Sequence, residues 1–243
     1  MADRVRWIWI PRWDLPAGQR ERQEVLPFPA CNLVVEPDGI SLYGPTTSIS
    51  YRELEGRGWA VGALLRPAGA GALCSPSLIR NSHRPLEDSD LKVAVASAMA
   101  DTNTTTGGQR AASALAAWVA QHTGPPQAMA LTANRMEDVV TSDRSILRVD
   151  QLARRLDLSI RSLQRLSERY IGLPPLAVIR RYRLQEAAQR LREDPSVTVA
   201  QMAAELDYAD HAHLTADFRR VLGLSPSRYR QQTISDRQAL SDR

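Results

Sequence analysis

Residues 159–175 read Ser159-Ile-Arg-Ser-Leu-Gln-Arg-Leu-Ser-Glu-Arg-Tyr-Ile-Gly-Leu-Pro-Pro175. Ser159 suits a helix N-cap, because its hydroxyl can accept from an early backbone N–H that has no helical partner. Leu163, Leu166 and Tyr170 return at helical spacing as an apolar stripe, with Arg161, Gln164, Arg165 and Glu168 on the other side. Gly172 suits a left-handed C′ position, and Pro174 and Pro175 stop the helix. Upstream, Val149-Asp-Gln-Leu-Ala-Arg-Arg-Leu156 predicts a short amphipathic helix, joined through Asp157-Leu-Ser159. A helix, a tight turn and a second helix with Arg and Gln outward make a helix-turn-helix, whose second helix enters the major groove of DNA. Arg bonds bidentately to guanine and Gln to adenine. One copy of this pattern also reads as an ordinary surface helix with solvated charges, since short matches are common.

The pattern occurs twice. Val199-Ala-Gln-Met-Ala-Ala-Glu-Leu-Asp-Tyr208 repeats Val149–Leu158 at an offset of 50 residues. Beyond one extra residue, Ala209, the offset is 51: Asp210 follows Ser159, Leu214 follows Leu163, Gly223 follows Gly172 and Pro226 follows Pro175. A repeat that preserves caps, core positions and stop signals together is far more specific than either copy. Between the copies, residues 174–192 carry a long helical pattern rich in arginine. Some 18 helical residues span about 27 Å, a strut able to hold two reading helices over major grooves roughly 34 Å apart.

Residues 145–232 resemble the DNA-binding domain of the AraC/XylS family of bacterial transcription regulators. The resemblance rests on Leu163-Gln-Arg165 with the Gly172-Leu-Pro-Pro175 turn, the arginine-rich connector, Ala212-His-Leu214, Phe218-Arg-Arg and Gly223-Leu-Ser-Pro226-Ser-Arg-Tyr229. It implies base-reading roles for Arg161, Gln164 and Arg165 in the first motif and for His211 and Thr215 in the second, beside Ala212 and Ala216. Arg169, Arg180 and Arg228 are the expected phosphate contacts. The sequence departs from the family pattern at Ser167 (usually a core Phe), Asp207 (commonly Gly) and Ala216 (frequently Arg). Residues 145–194 hold eleven arginines against six carboxylates and residues 195–232 four against four, so affinity is expected to concentrate in the first motif.

The 243 residues suit one large or two ordinary domains, and 43% apolar content is ample for packed cores. The formal net charge is +4, and the C-terminal segment accounts for all of it, as a local nucleic-acid footprint would. Trp7–Ile10, Cys31–Val35, Ile40–Tyr43 and Trp59–Leu65 are short β-favouring runs punctuated by turn signals at 37–39, Gly44-Pro45 and Pro67–Gly71. This favours a small barrel or sandwich over residues 1–80. The order of these segments resembles the cupin-like N-terminal domains of one AraC subgroup. Residues 86–121 shift to helix, through Leu91–Met99 and Arg110–Val119 separated by the polar Asp101–Gly108 run. The expected architecture is therefore α+β. A regulatory or dimerisation domain spans 1–122, a linker 123–143, a two-motif all-α domain 144–232 and a tail 233–243.

No run approaches 18 apolar residues, so no membrane span is expected. The apolar run at the N-terminus is too short for a signal peptide, and a cytoplasmic location is expected. Cys31 and Cys74 are the two cysteines; buried spectator thiols, kept reduced, are the favoured reading. The four histidines, His83, His122, His211 and His213, lack the spacing of a helical zinc site, and no nucleophile is assembled with a base. No cofactor, metal or catalysis is expected. Thr198 with Gln201 forms a capping box, whereas its counterpart Arg148 cannot cap, so the first supporting helix is expected to fray. The whole reads as a sequence-specific DNA-binding regulator whose partners are double-stranded DNA, with a small-molecule effector, a second copy and RNA polymerase as further candidates. The alternative is a protein-interaction module with weakened DNA binding.

Overall fold

The computed structural model describes residues 1–231 except Pro195 and Asp207. The expectations for Asp207 and for the tail 233–243 therefore lie outside the described residues. In the N-terminal half, strands β1 (Val5–Trp9), β8 (Val61–Leu65), β4 (Asn32–Val35), β5 (Ile40–Tyr43) and β9 (His83–Leu86) form one antiparallel sheet in that order. Two ribbons flank it, β2 (Arg12–Asp14) with β7 (Arg57–Trp59) and β3 (Arg20–Val25) with β6 (Ser50–Glu55). Register explains the core: Leu33 faces Leu42 and Ala63, and Val35 faces Ile40 and Val61, so one face of the pleat is apolar. Helices α2 (Ser89–Met99) and α3 (Thr104–Thr123) close that face with Leu91, Val95, Ala98 and Met99 and with Ala111, Leu115 and Val119. Their starts are capped by Asp88 and Asn103, which accept from Leu91 and Thr106 N–H.

Several boundaries differ from expectation. The turn expected at Pro67–Gly71 is instead helix α1 (Pro67–Leu73), started by a proline at its first turn, where a missing N–H costs nothing. The polar run before α3 joins the helix from Thr104 onward. Residues 123–143 were expected as a linker, but Ala128–Ser142 forms helix α4. Gly124-Pro125-Pro126 does end α3, yet Ala130, Ala133, Met136 and Val140 then build an apolar stripe that joins the core of the C-terminal half.

That half continues with α5 (Val149–Arg155), α6 (Ile160–Tyr170), α7 (Pro175–Glu193), α8 (Val199–Glu205) and α9 (His211–Leu222), followed by helical backbone over 226–231. It has two cores. α4, α5, α6 and the first half of α7, through Val178, Ile179 and Tyr182, form one. The second half of α7, through Leu184, Ala187, Ala188 and Leu191, forms the other with α8, α9 and Tyr229. α7 is thus a strut shared by both motifs, about 28 Å long at 1.5 Å per residue.

The N-terminal half is seated on this pair of motifs. Buried Glu137 of α4 meets Arg6 at 3.0 Å, Arg66 at 3.2 Å and the Tyr182 hydroxyl, which donates to it at 2.7 Å. Phe28 packs edge-on against both Trp7 and Tyr182. Buried Arg181 donates to the carbonyls of Thr46 and Thr47 at 3.3 and 3.2 Å, and Gln185 to that of Pro27 at 3.2 Å. At the first motif, Gly71 lies so close to Tyr170 that a Cβ there would sit 2.4 Å from the ring.

Candidate nucleic-acid interface

The two motifs superpose in construction as the repeat implies. α8 starts 50 residues after α5, and α9 starts 51 after α6. Ser159 Oγ accepts from Ser162 N–H at 3.1 Å, and Asp210 Oδ1 from His213 N–H at 2.7 Å, so both second helices carry side-chain caps. Both end at a left-handed glycine, Gly172 with φ +80° and Gly223 with φ +70°. In the first turn Asp157 also takes φ +61°, a conformation that Asp tolerates better than most residues.

The supporting helices are anchored differently. Thr198 and Gln201 form the expected capping box, with Gln201 N–H donating to Thr198 Oγ1 at 3.1 Å and Thr198 N–H to Gln201 Oε1 at 2.9 Å. Arg148 offers no cap, but Gln151 Oε1 accepts from Leu147 and Arg148 N–H at 2.8 and 2.9 Å. The start of α5 is therefore held from within the helix, a hold that the absence of a hydroxyl at 148 had concealed.

On α6 the stripe Leu163, Leu166 and Tyr170 is buried, while Arg161, Gln164 and Arg165 are exposed. None of these three makes a hydrogen bond or ion pair with another described residue. A donor-rich row with no internal partner is available to a ligand, and the spacing puts all three on one face. Ser167, in place of a large apolar side chain, is fully buried and donates to Leu173 O at 2.5 Å, so it ties down the turn that ends the helix.

α9 presents less. His211, Ala212 and Ala216 are exposed and Thr215 is half-buried, so its outward face carries fewer donors than that of α6. Asp217 interrupts the buried stripe of Leu214, Phe218 and Val221. It accepts from Arg220, lies 3.9 Å from Arg180 of α7 and takes a 3.5 Å bond from the Tyr208 hydroxyl. Burial, then the Asp217 charge, push Tyr208 up to about 12. Sequence reading missed Asp217; the signal was a carboxylate in line with core positions. Of the expected phosphate contacts, Arg169 is exposed beside the Tyr170 ring, Arg228 is exposed, and Arg180 is turned toward Asp217, where it bridges the motifs.

One further group was not legible. Arg80, far outside the two motifs in sequence, pairs with Glu168 of α6 at 2.6 Å and donates to Gly172 O at 2.7 Å.

Residues 152–232 match the family model described as a helix-turn-helix domain. A protein described as an AraC-like transcription regulator, from Streptomyces lividans, is 32% identical over 126 residues, or 51% of this chain and 38% of that protein. The C-terminal part of the chain is similar to AraC-like transcription regulators. The HTH-type transcriptional activator RhaS of Escherichia fergusonii is 39% identical over 83 residues, covering 34% of this chain and 29% of RhaS. The match thus spans less than two fifths of the length of either relative. Residues 1–83 match a family model described as a domain of unknown function (DUF6597). ToxT of Vibrio cholerae shares the fold over 92% of this chain and 96% of its own, with a TM-score of 0.52 at 11% identity.

Among the described residues, no helix is long and apolar enough to cross a membrane, and no group of three or more His, Cys, Asp or Glu is placed to hold a metal ion.

Proposed function

We propose that this chain is a cytoplasmic, non-enzymatic bacterial transcription regulator that reads DNA through α6 and α9 in successive major grooves. The observation that carries the proposal is the exposed, internally unpartnered row Arg161, Gln164 and Arg165 on a capped helix. Arg161, Gln164 and Arg165 read bases in the first groove, and His211 and Thr215 in the second. Arg169 and Arg228 hold phosphates, and Arg180 does so only by leaving Asp217. The first motif supplies most of the affinity.

The N-terminal half regulates. A cleft of about 730 Å³ between the halves, lined by Arg6, Trp7, Phe28, Tyr182, Arg183 and Glu186 among others, is the place for a small-molecule effector. Its walls come from both halves, so an occupant there would bias how they sit together.

The test is selection of bound sequences from a random DNA pool by the full chain, with titration at several salt concentrations. An enriched site spanning two major grooves is expected, and Arg165→Ala should weaken it by about 5- to 150-fold (roughly 1–3 kcal/mol) while sparing unrelated DNA. Equal loss on all DNA would make Arg165 a phosphate contact. Binding with a steep salt slope and no enriched site would refute sequence reading. It would favour instead the interaction-module reading, for which the alanine-rich exposed face of α9 speaks.

A further inference from the structure

Glu168 stands among the outward residues of α6. It lies three residues after Arg165 and four after Gln164, the spacings at which helix side chains meet. Arg165 and Glu168 also line one depression of about 490 Å³, so both face the same space. A carboxylate there is an acceptor for the Arg165 guanidinium and for the Gln164 amide, groups that read guanine and adenine. Among the described residues, however, Glu168 pairs with Arg80 of the N-terminal half, whose Nη2 donates to Glu168 Oε1 at 2.6 Å.

We propose that Arg80 is a positioning residue for DNA recognition: it holds the Glu168 carboxylate away from Arg165 and Gln164 and so keeps both free for bases. The proposal rests on the base-reading role given to α6 above.

The geometry makes Arg80 the preferred partner. Its guanidinium is held twice, with Nε donating to Gly172 O at 2.7 Å while Nη2 holds the carboxylate. It sits at the C-terminal end of α6, where the helix dipole favours a cation. Its backbone is also fixed in advance. The next residue, Asn81, donates its N–H to Pro45 O at 3.0 Å, and its Oδ1 accepts from Thr47 N–H at 2.7 Å. Buried Arg181 of α7 grips that same loop through the carbonyls of Thr46 and Thr47. Pairing from this tethered segment costs Arg80 less freedom than it would cost the exposed Arg165. The Arg80 side chain is 34% exposed, so its bond to Glu168 is also less screened than one formed out on the helix surface.

Without Arg80, Glu168 turns to the donors of its own helix, Arg165 and Gln164. Each base contact must then first break a local pair. The N-terminal half thereby governs how sharply the first motif discriminates, through a residue that touches no base.

The test titrates the full chain against its selected site and against the same site altered at the base pair whose preference Arg165→Ala abolishes. The ratio of the two affinities is the readout, because a general change in phosphate attraction cancels in it. Arg80→Ala should lower the ratio by about 2- to 5-fold, the range of an exposed ion pair. Glu168→Gln should restore it in the Arg80→Ala chain, and Arg80→Ala should lower it no further in the Arg165→Ala chain. Arg80→Gln, which keeps a donor for Gly172 O, takes its place where Arg80→Ala fails to fold. An unchanged ratio would overturn the proposal. So would a fall that persists alongside Glu168→Gln, since that marks a loosened helix end rather than a released carboxylate. In the chain without DNA, proton exchange of the Arg165 guanidinium, followed by NMR, should slow in Arg80→Ala and recover when Glu168→Gln is added; no slowing would overturn the capture. If Arg165→Ala abolishes a preference while Arg80→Ala leaves the ratio intact, only the role of Arg80 falls. If Arg165→Ala abolishes none, the base-reading role itself falls, and the role of Arg80 with it.

Discussion

Glu137→Gln keeps the size of a side chain that is 2% exposed and faces two guanidinium groups, Arg6 at 3.0 Å and Arg66 at 3.2 Å. The amide oxygen still accepts from Tyr182, so the substitution removes the charge and the acceptor of the Arg66 Nε–H. Breaking a buried ion pair from one side costs about 3–5 kcal/mol, because the opposite charge is left desolvated. Two facts place this case at the low end. Arg6 is 26% exposed and can recover water, and Arg66 retains Asp138 at 2.5 Å. We expect about 3 kcal/mol, which for a chain of this length lowers Tm by roughly 6–12 °C. Asp138→Asn is the control: at 59% exposed, its pairing with Arg66 should contribute no more than about 1 kcal/mol. Scanning calorimetry on both variants decides. A fall of less than 2 °C for Glu137→Gln, or an equal fall for both, would show that the charge cluster does not hold the halves together.

Ser167→Ala removes the donor to Leu173 O in a buried turn and should cost about 1–3 kcal/mol, read by urea unfolding; no loss would mean that the carbonyl finds another partner. Gly172→Ala and Gly223→Ala both force a left-handed alanine, worth roughly 1–2 kcal/mol each. Only at Gly172 does the new Cβ also strike backbone, so its Tm should fall further; at Gly223 it meets Ile49 Cγ2 at 3.3 Å. Asp88 caps α2 by accepting from Leu91 N–H and, at 2.6 Å, from Trp118 Nε1, which together hold its carboxyl below the usual range. A lowered folded pKa stabilises fully above the unfolded value of about 3.9 and loses that effect as pH falls through the folded one. The stability gap between the parent and Asp88→Asn should therefore be widest at neutral pH and close in acid; a gap unchanged down to pH 2 would refute the capping role.

The C-terminal half was largely legible because local signals agree there. Ser159 and Asp210 cap, Gly172 and Gly223 terminate, and the apolar spacing between them is helical, so each element is specified within its own dozen residues. The N-terminal half depends on partners distant in sequence. β3 and β6 form a charged ribbon, exposed over much of its surface, whose residues alternate too weakly to declare a strand. α1 is written in Pro, Ala and Gly, which signal a turn; its Gly71 is required by the approach of Tyr170, about 100 residues later. α4 was hidden because Gly124-Pro125-Pro126 looked like the start of a linker, while the small residues Ala130 and Ala133 reveal their burial only once α5 to α7 are in place. Within the candidate site, the outward row of α6 could be read from spacing. The redirection of Arg180 to Asp217 and the reach of Arg80 to Glu168 could not, since charge pairing across the fold leaves no trace in the order of residues.

The contacts of Gly71, Pro76 and Arg80 with Tyr170, Gly172 and Glu168 also bear on what can be exchanged between regulators. A graft cut at residue 144 would discard α4, which supplies Ala130, Ala133, Met136 and Val140 to the first core, and strip the end of α6 of the surface that shapes it. The transplantable unit is larger than the repeat suggests: it begins at α4 and needs a donor surface able to mimic the 67–80 segment. Recombination that joined these motifs to a foreign N-terminal half would have to preserve that footprint, which makes the seam itself an inherited trait.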